Sequence, residues 1–255
     1  MSGNQRFLGR SVVVTGAGSG IGAATATAFA REGAKVTIGE IDPGRGGAVR
    51  DQIRASGGSA EFIETDATDE GAVRRLIESA CARFGPVRHA FNNVGLSRPG
   101  TLEDLSLEDW QWTMDICLTS TFLAMKYEIP VMRDIGGGTI VNTASMSGRI
   151  FTSSAPPSYS AAKAGVIHLS QYASCAYAKD GIRVNSVLPG LTATPIVAAM
   201  FSAEEQAAIA GEHQMIARAV LPEEIAATVL FLSSDEAQMI TGRGIEVAGG
   251  GAHAG

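Results

Sequence analysis

Ser11-Val12-Val13-Val14-Thr15-Gly16-Ala17-Gly18-Ser19-Gly20-Ile21-Gly22 is the stretch that decides the fold of this 255-residue chain. Val12 to Val14 is a short β-branched run of the length expected for a buried parallel strand. Thr15 ends it, glycines alternate through the next turn, and Ala23 to Arg31 reads as an Ala-rich helix. Strand, glycine loop and helix form the setting that a dinucleotide fingerprint requires. Glycine removes the Cβ that would hold a pyrophosphate away from the backbone. The free N–H groups of the first helical turn then face the phosphates, and the helix dipole favours their charge. The same pattern also suits a strand-to-helix turn with no ligand, so the rest of the chain has to decide.

Strand-like and helix-like stretches alternate from there on. Lys35 to Glu40 is a second strand, with Gly33 placed to end the helix before it. Glu40 closes this strand about 20 residues after the glycine loop, where an acid can accept hydrogen bonds from an adenosine ribose. Such an acid repels a 2′-phosphate, and Asp42 adds to the repulsion. The alternative is a solvated loop carboxylate. Arg45 falls in what reads as a Gly-rich loop, and the next helix is expected over Asp51 to Ala55, stopped by Gly57-Gly58. Ala60 to Thr65 is a third strand followed by Asp66-Ala67. Asp66 suits either an adenine amino group or a helix cap, a role open to Thr68 and Asp69 as well. Val73 to Phe84 is amphipathic, with Val73, Leu76, Ile77 and Ala80 on one face.

His89 to Val94 makes a fourth strand that finishes in Asn92-Asn93-Val94-Gly95. Amides there tie strand ends together and line a cofactor floor, or form a simple turn. His89 reads as a structural histidine. Ser106 to about Arg133 is a long helical stretch in which Pro130 is expected to kink or separate the end. Its Trp110, Trp112 and Phe122 suit a core or a subunit contact. Thr139 to Ala144 is a fifth strand, with Ser145 at its carboxyl end. The helix that begins near Pro157 or Ser158 and runs to about Lys179 carries Tyr159 and Lys163 four residues apart, on one face. That spacing also occurs in ordinary surface pairs. Ile182 to Leu188, a helix from Pro222 to about Ser233, and a last strand at Ile245 to Ala248 complete the alternation. Between them, 191–215 has the variable texture of a mobile substrate lid. Repeated βα units imply an α/β fold: a three-layer, doubly wound parallel sheet of about seven strands, a Rossmann fold, in one domain over 1–255.

Composition narrows the function classes. Hydrophobic residues are 45% and charged residues 18%, an ordinary globular balance. A net charge of −6 with no basic run argues against a nucleic-acid partner. The three cysteines have neither disulfide nor metal-ligand spacing, which suits a reducing compartment. Met1 to Gly9 lacks the apolar region of a signal peptide, and no apolar run approaches the length of a spanning helix. The expectation is a cytoplasmic protein without a metal and without a membrane partner.

The order and separation of these pieces resemble the short-chain dehydrogenase/reductase family of the single-domain type, from Val12 to Gly250. The resemblance rests on Thr15-Gly16-Ala17-Gly18-Ser19-Gly20-Ile21-Gly22, Asn92-Asn93-Val94-Gly95, Ser145, Tyr159 with Lys163, Pro189-Gly190, and Thr241-Gly242 with Gly249-Gly250. It implies an NAD-dependent oxidoreductase that moves hydride between a secondary alcohol or ketone and the nicotinamide, in a homotetramer. Tyr159 is then the acid/base. A free phenol has a pKa of about 10, and Lys163 plus the positive nicotinamide ring are expected to lower it. Lys163 also holds the nicotinamide ribose. Ser145 hydrogen-bonds the substrate oxygen, with Ser147 as a poorer stand-in. Cofactor contacts are implied at Gly16, Ser19, Gly20, Ile21, Gly22, Glu40, Ile41, Asp66, Ala67, Asn93, Val94, Gly95, Tyr159, Lys163, Pro189, Gly190, Thr192 and Thr194. Thr192 and Thr194 match positions that hold the carboxamide. Ser19 and Ile41 stand where relatives that use NADP often carry a cation, and Glu40 implies NAD.

Two positions depart from the family pattern. Cys117 replaces an Asn thought to hold a relay water, and a thiol is a weak donor and a weak acceptor. Ala248 replaces an Asp. Cys117 keeps open a second reading, a dinucleotide-binding protein with weak or no turnover. The substrate pocket is expected from 96–100, 146–157 and 191–215, with Leu96, Met146, Ile150, Phe151, Ile196 and Met200 making it apolar.

Overall fold

A computed structural model describes residues 5–250; residues 1–4 and the tail from Gly251 lie outside the described residues. Seven strands form one parallel sheet: β1 (Ser11–Thr15), β2 (Lys35–Glu40), β3 (Ser59–Glu64), β4 (Val87–Asn92), β5 (Gly138–Thr143), β6 (Ile182–Pro189) and β7 (Gly244–Val247). Their order is β3-β2-β1-β4-β5-β6-β7. The order reverses between β1 and β4, which opens a crevice beyond the carboxyl ends of those two strands. This is the doubly wound sheet that the alternating pattern predicts.

The period-2 geometry of a strand sends neighbouring side chains to opposite faces. Val12 and Val14 accordingly join one core with Phe29, Val36, Ile38, Val141, Val187, Ile225 and Val229. Val13 joins the other, with Leu76, Ile77, Met125, Ile129, Met132, Ile140 and Val184. The first core lies under α1 (Gly20–Arg31), α2 (Pro43–Ala55) and α9 (Pro222–Ser233). The second lies under α3 (Glu70–Phe84), α5 (Ser120–Asp134) and α6 (Pro157–Tyr177). Phe29 is fully buried, so its truncation to Ala is worth about 3–5 kcal/mol.

Two local expectations are corrected. Helix α2 starts at Pro43 and not at Asp51, so Arg45 lies in its first turn and not in a loop. Gly44, Gly46 and Gly47 hide the helical period, while the signals that win are Pro43 at the first position and the Asp42 carboxylate, which accepts from Arg45 N at 3.0 Å. Pro130 neither ends nor separates its helix: α5 runs through it to Asp134. A proline there removes one hydrogen bond, to the Lys126 carbonyl, and Ile129 and Met132 packed on the sheet hold the helix in place. The long stretch is helical throughout, as α4 (Leu107–Met114), a π turn (Asp115–Thr119) and α5. Trp110 and Trp112 are half-buried and Phe122 is 48% exposed, so none of the three is a core residue.

Asp69, not Asp66, caps α3 by accepting from Ala72 N. Beyond β6 lie α7 (Pro195–Met200) and α8 (Ala203–His213). Among the described residues no helix is long and apolar enough to cross a membrane.

Candidate active site

The glycine loop lies at the carboxyl end of β1, beside the crevice. Gly16 and Gly20 have φ of 60° and 53°, a region that side chains disfavour. A Cβ on Gly22 would stand 2.2 Å from the Gly16 carbonyl and 2.9 Å from the Asn93 amide nitrogen. Helix α1 therefore seats directly on the loop. Its N-cap, Ser19, makes no side-chain cap bond, whereas Asp42 and Asp69 cap α2 and α3. The first-turn N–H groups of α1 thus face the crevice without a side-chain acceptor, the arrangement that receives a phosphate.

Glu40 closes over this loop. Its Oε2 accepts from Gly18 N at 2.9 Å, and its Oε1 from Ile41 N at 3.1 Å and Asp42 N at 3.2 Å. Arg45 Nη2 stands 3.6 Å from Oε1. An ionised carboxylate has about four acceptor sites, so a further donor such as a ribose hydroxyl can join these bonds. Asp66 is exposed and turned inward on its own loop, accepting from Thr68 N at 2.8 Å and from the Thr68 hydroxyl at 2.7 Å. Ala67 beside it is buried. The structure does not draw these two into the cluster that joins the other strand ends.

Asn93 ties the strand ends together. Its N–H donates to Thr15 Oγ1 at 3.2 Å, its Nδ2 to the Gly16 carbonyl at 3.2 Å, and its Oδ1 accepts from Thr143 Oγ1 at 3.2 Å. Val94 backs Gly16, and the Thr194 methyl lies 3.1 Å from the place of a Gly20 Cβ, so the β4 and β6 exits both border the glycine loop. Thr192 turns its hydroxyl to the Gly190 carbonyl at 3.0 Å, and Thr194 caps α7. Pro189 is buried at the end of β6. Below them, Asn92 Nδ2 donates to Glu128 Oε2 at 3.1 Å and to Asn142 Oδ1 at 3.0 Å. Glu128 is fully buried, and desolvation pushes its carboxyl up to about 7. His89 is likewise buried, edge-on to Phe7, and pushed down to about 3 by burial and by the Arg88, Arg10 and Arg183 charges. It is the structural histidine that its strand position predicts.

Ser145, Tyr159 and Lys163 meet at the end of β5. The Lys163 ammonium is buried, donates to the Thr143 carbonyl at 2.7 Å, and lies 5.6 Å from the centroid of the Tyr159 ring. Ser145 Oγ accepts from Ser147 N at 3.2 Å, and the Ser145 hydroxyl acts on the Tyr159 phenol, opposing the rise of its pKa. Cys117 lies in the π turn, fully buried, and its Sγ donates to the Leu96 carbonyl at 3.1 Å. Gly95 fills the gap between Cys117 and Lys163: a Cβ there would stand 2.7 Å from Nζ and 3.6 Å from Sγ.

The electrostatics of the chain alone set where the Tyr159 phenol and the Lys163 ammonium start. Burial raises the Tyr159 phenol above its ordinary value, the Cys117 sulphur adds to the rise, and the Ser145 hydroxyl opposes it. Burial lowers Lys163, and Cys117 opposes that. Desolvation of each charged form thus outweighs the help that the ammonium was expected to give the phenolate.

A cavity of about 130 Å³ adjoins Ser145. Met146, Ile150, Leu191, Ile209 and Ala248 give it apolar wall, and Ser147, Thr152, Ser154 and Gln214 give it polar wall. Of the six apolar residues expected to line it, Met146 and Ile150 do. Leu96, Phe151, Ile196 and Met200 are 43%, 91%, 47% and 60% exposed and do not line it. Thr152 and Gln214 fall inside the 146–157 and 191–215 segments expected to line the pocket, though nothing local singles out either side chain. Gln214 Oε1 accepts from Leu191 N at 2.9 Å and its Nε2 donates to the Arg218 carbonyl at 2.7 Å, a long-range role that only the fold reveals. A larger cavity, about 450 Å³, opens at the amino ends of β4 to β6. Its guanidiniums are already tied to carbonyls, Arg88 to Gly137 at 2.8 Å and Arg183 to Ser234 at 3.0 Å. It lies at the wrong edge of the sheet for this fold's ligands.

Comparison with known proteins accords with this geometry. The sequence model of a family described as enoyl-(acyl carrier protein) reductase matches residues 16–252. The chain is 40% identical to cis-4-hydroxycyclohexanecarboxylate dehydrogenase of Sinomonas cyclohexanicum, over 96% of this chain and 98% of that one. It is 39% identical to cyclohexanol dehydrogenase of Acinetobacter sp. (strain SE19), over 94% and 93%. The crystal structure of a short-chain type dehydrogenase/reductase from Mycobacterium marinum superposes with a TM-score of 0.91 at 32% identity, covering 96% of each chain.

Proposed function

The chain belongs to the short-chain dehydrogenase/reductase family, and on that premise we propose that it is an NAD-dependent dehydrogenase of small cyclic secondary alcohols, with Tyr159 as acid/base. The observation that carries this reading is the meeting of Ser145, Tyr159 and Lys163 beside the crevice that the uncapped end of α1 faces. The names of the relatives, which act on hydroxylated cyclohexane rings, support the substrate class.

The residues present fit a nicotinamide dinucleotide. Gly16, Ser19, Gly20, Ile21 and Gly22 offer backbone N–H groups and close approach to a pyrophosphate. Glu40 and Ile41 meet the adenosine ribose, where the Glu40 carboxylate accepts hydroxyl protons and repels a 2′-phosphate. Asp66 and Ala67 border the adenine. Asn93, Val94, Gly95, Pro189, Gly190, Thr192 and Thr194 line the path to the nicotinamide end. The bound dinucleotide supplies hydride exchange.

Tyr159 takes the hydroxyl proton of the alcohol at its phenol oxygen, or returns it when a ketone is reduced. Ser145 donates to the same substrate oxygen and stabilises the charge that develops there. Lys163, fixed by Thr143, holds the ribose and favours the phenolate. The 191–215 segment is the lid over the substrate. By family resemblance the chain assembles as a homotetramer, in which Phe122 of α5 and Tyr172 of α6, 48% and 67% exposed, are covered. Light scattering on the purified protein tests the assembly.

The function is tested by assaying NAD reduction with cyclohexanol for wild type and Tyr159→Phe, alongside NAD binding by calorimetry. Turnover by wild type and its loss in the variant, with binding retained, is the expected result. NAD binding with no turnover of any secondary alcohol would favour the dinucleotide-binding reading instead.

A further inference from the structure

Ser147 and Thr152 face each other across the cavity wall, with Ser147 Oγ and Thr152 Oγ1 2.7 Å apart. One hydroxyl donates in this contact and the other accepts. The accepting hydroxyl keeps its own hydrogen, and neither oxygen is among the buried polar atoms left without a partner. A donor is therefore held ready at the wall, in an orientation that the pair itself fixes. The pair also stands next to the reacting centre, because Ser147 N donates to the Ser145 oxygen at 3.2 Å.

Two further features define what can meet this donor. The cavity measures about 130 Å³, and a site of about 150 Å³ holds one benzene ring, so a single six-membered ring fills it. Its described lining residues include hydroxyls and amides but no charged side chain. A carboxylate or phosphate on the ring would lose its water there without gaining a counter-charge, which is costly. The nearby Arg149 is engaged with Glu246 at 2.6 Å and with the Gly244 carbonyl at 3.2 Å.

We propose that Ser147 and Thr152 form a specificity-determining hydroxyl pair that binds a second, uncharged oxygen on the substrate ring, making the preferred substrate class neutral cyclic diols and hydroxyketones. The inference rests on the proposed dehydrogenase activity and names the substrate class of that same site. A ring lacking the second oxygen leaves the pair's spare hydrogen unpaired, and a charged ring desolvates its charge. One neutral hydrogen bond of this kind corresponds to about tenfold in kcat/KM.

The test measures kcat/KM on the full chain, with whichever of NAD or NADP is turned over faster. The substrates are cyclohexanol, the isomeric cyclohexanediols and 4-hydroxycyclohexanecarboxylate, each with wild type, Ser147→Ala, Thr152→Val and Thr152→Ser. The best diol is expected to exceed cyclohexanol by about tenfold in wild type, and the carboxylate to be the poorest. That ratio is expected to fall toward one in Ser147→Ala and Thr152→Val and to return in Thr152→Ser, which keeps the hydroxyl. A ratio unmoved by the variants, or a carboxylate preferred over every diol, overturns the proposal while leaving the dehydrogenase reading in place. Absence of turnover with all of these alcohols overturns both.

Discussion

The Lys163 ammonium donates to the Thr143 carbonyl at 2.7 Å, which anchors a buried cation to the end of the very strand that leads into Ser145. Gly95 makes room for that ammonium. In Gly95→Ala the new Cβ would press on Nζ at 2.7 Å. Nζ ends a flexible chain, so the helix survives and the cation moves. The expected outcome is a kcat at least tenfold lower with a melting temperature within a few degrees of wild type, read by steady-state assay and calorimetry.

The direction of the Tyr159 shift sets the pH dependence of turnover. Burial raises the phenol, so it stays protonated through neutral pH. Alcohol oxidation needs the ionised form, and its kcat/KM is expected to climb about tenfold per pH unit from 6 toward 9. Ketone reduction needs the protonated form and is expected not to gain over the same range. Tyr159→Phe is expected to lose about 10²–10⁴ in both directions. Initial rates in a constant-ionic-strength buffer series check all three.

Arg45 beside Glu40 bears on the proposed preference for NAD. It stands 3.6 Å from the carboxylate and belongs to a helix, so it is held in place. Wild type is expected to favour NAD over NADP by about tenfold or more. In Glu40→Ala one repelling charge is gone and Arg45 keeps only its pair with Asp42, Nε to Oδ2 at 3.2 Å, so the ratio is expected to fall toward one. NAD affinity is also expected to weaken, because Gly18 N loses its acceptor. Paired kcat/KM values with the two cofactors check this.

Glu128 predicts a stability slope. Its carboxyl is raised to about 7 from an ordinary 4.5 by desolvation. The folded state therefore holds a proton that the unfolded state has released between those values, and stability falls as pH rises through that window. The shift corresponds to at most about 3 kcal/mol. Glu128→Gln keeps the bond from Asn92 without the titration, and is expected to melt several degrees higher than wild type at pH 8 and near it at pH 5. Differential scanning calorimetry at the two pH values checks the crossing.

Cys117→Asn tests the relay. If the thiol limits proton exchange with solvent, the amide is expected to raise kcat severalfold with KM little changed, and the solvent isotope effect on kcat is expected to shrink.

The strands were legible because Val12 to Val14, Ile140-Val141 and Val187-Leu188 are short β-branched or apolar runs with glycine or proline close by. Ser145, Tyr159 and Lys163 were legible as a spaced motif. Helix α2 was obscured by its glycines, and with it the contact of Arg45 with Glu40, which no spacing rule anticipates. The Ser147–Thr152 contact lies within one loop, whose fold no local period marks, and the place of Gln214 depends on segments that meet only in three dimensions. The direction of the Tyr159 shift escaped a charge-pair argument because burial, which has no local sequence mark, decides it.

The π turn at Asp115–Thr119 admits one residue more than an α-turn needs. Ser120 and Thr121 hydroxyls bond back to the Ile116 and Cys117 carbonyls at 2.7 Å and 3.1 Å, supporting the widened segment. The two flanking helices are consequently out of phase by about 100° of rotation. Excising any single residue from this segment would rewind the rod, and Trp110 and Trp112 would swing to a different side of the molecule while Met125 and Ile129 stayed put. The chain thus tolerates substitution here far better than shortening, a distinction that ties its length to the orientation of Cys117.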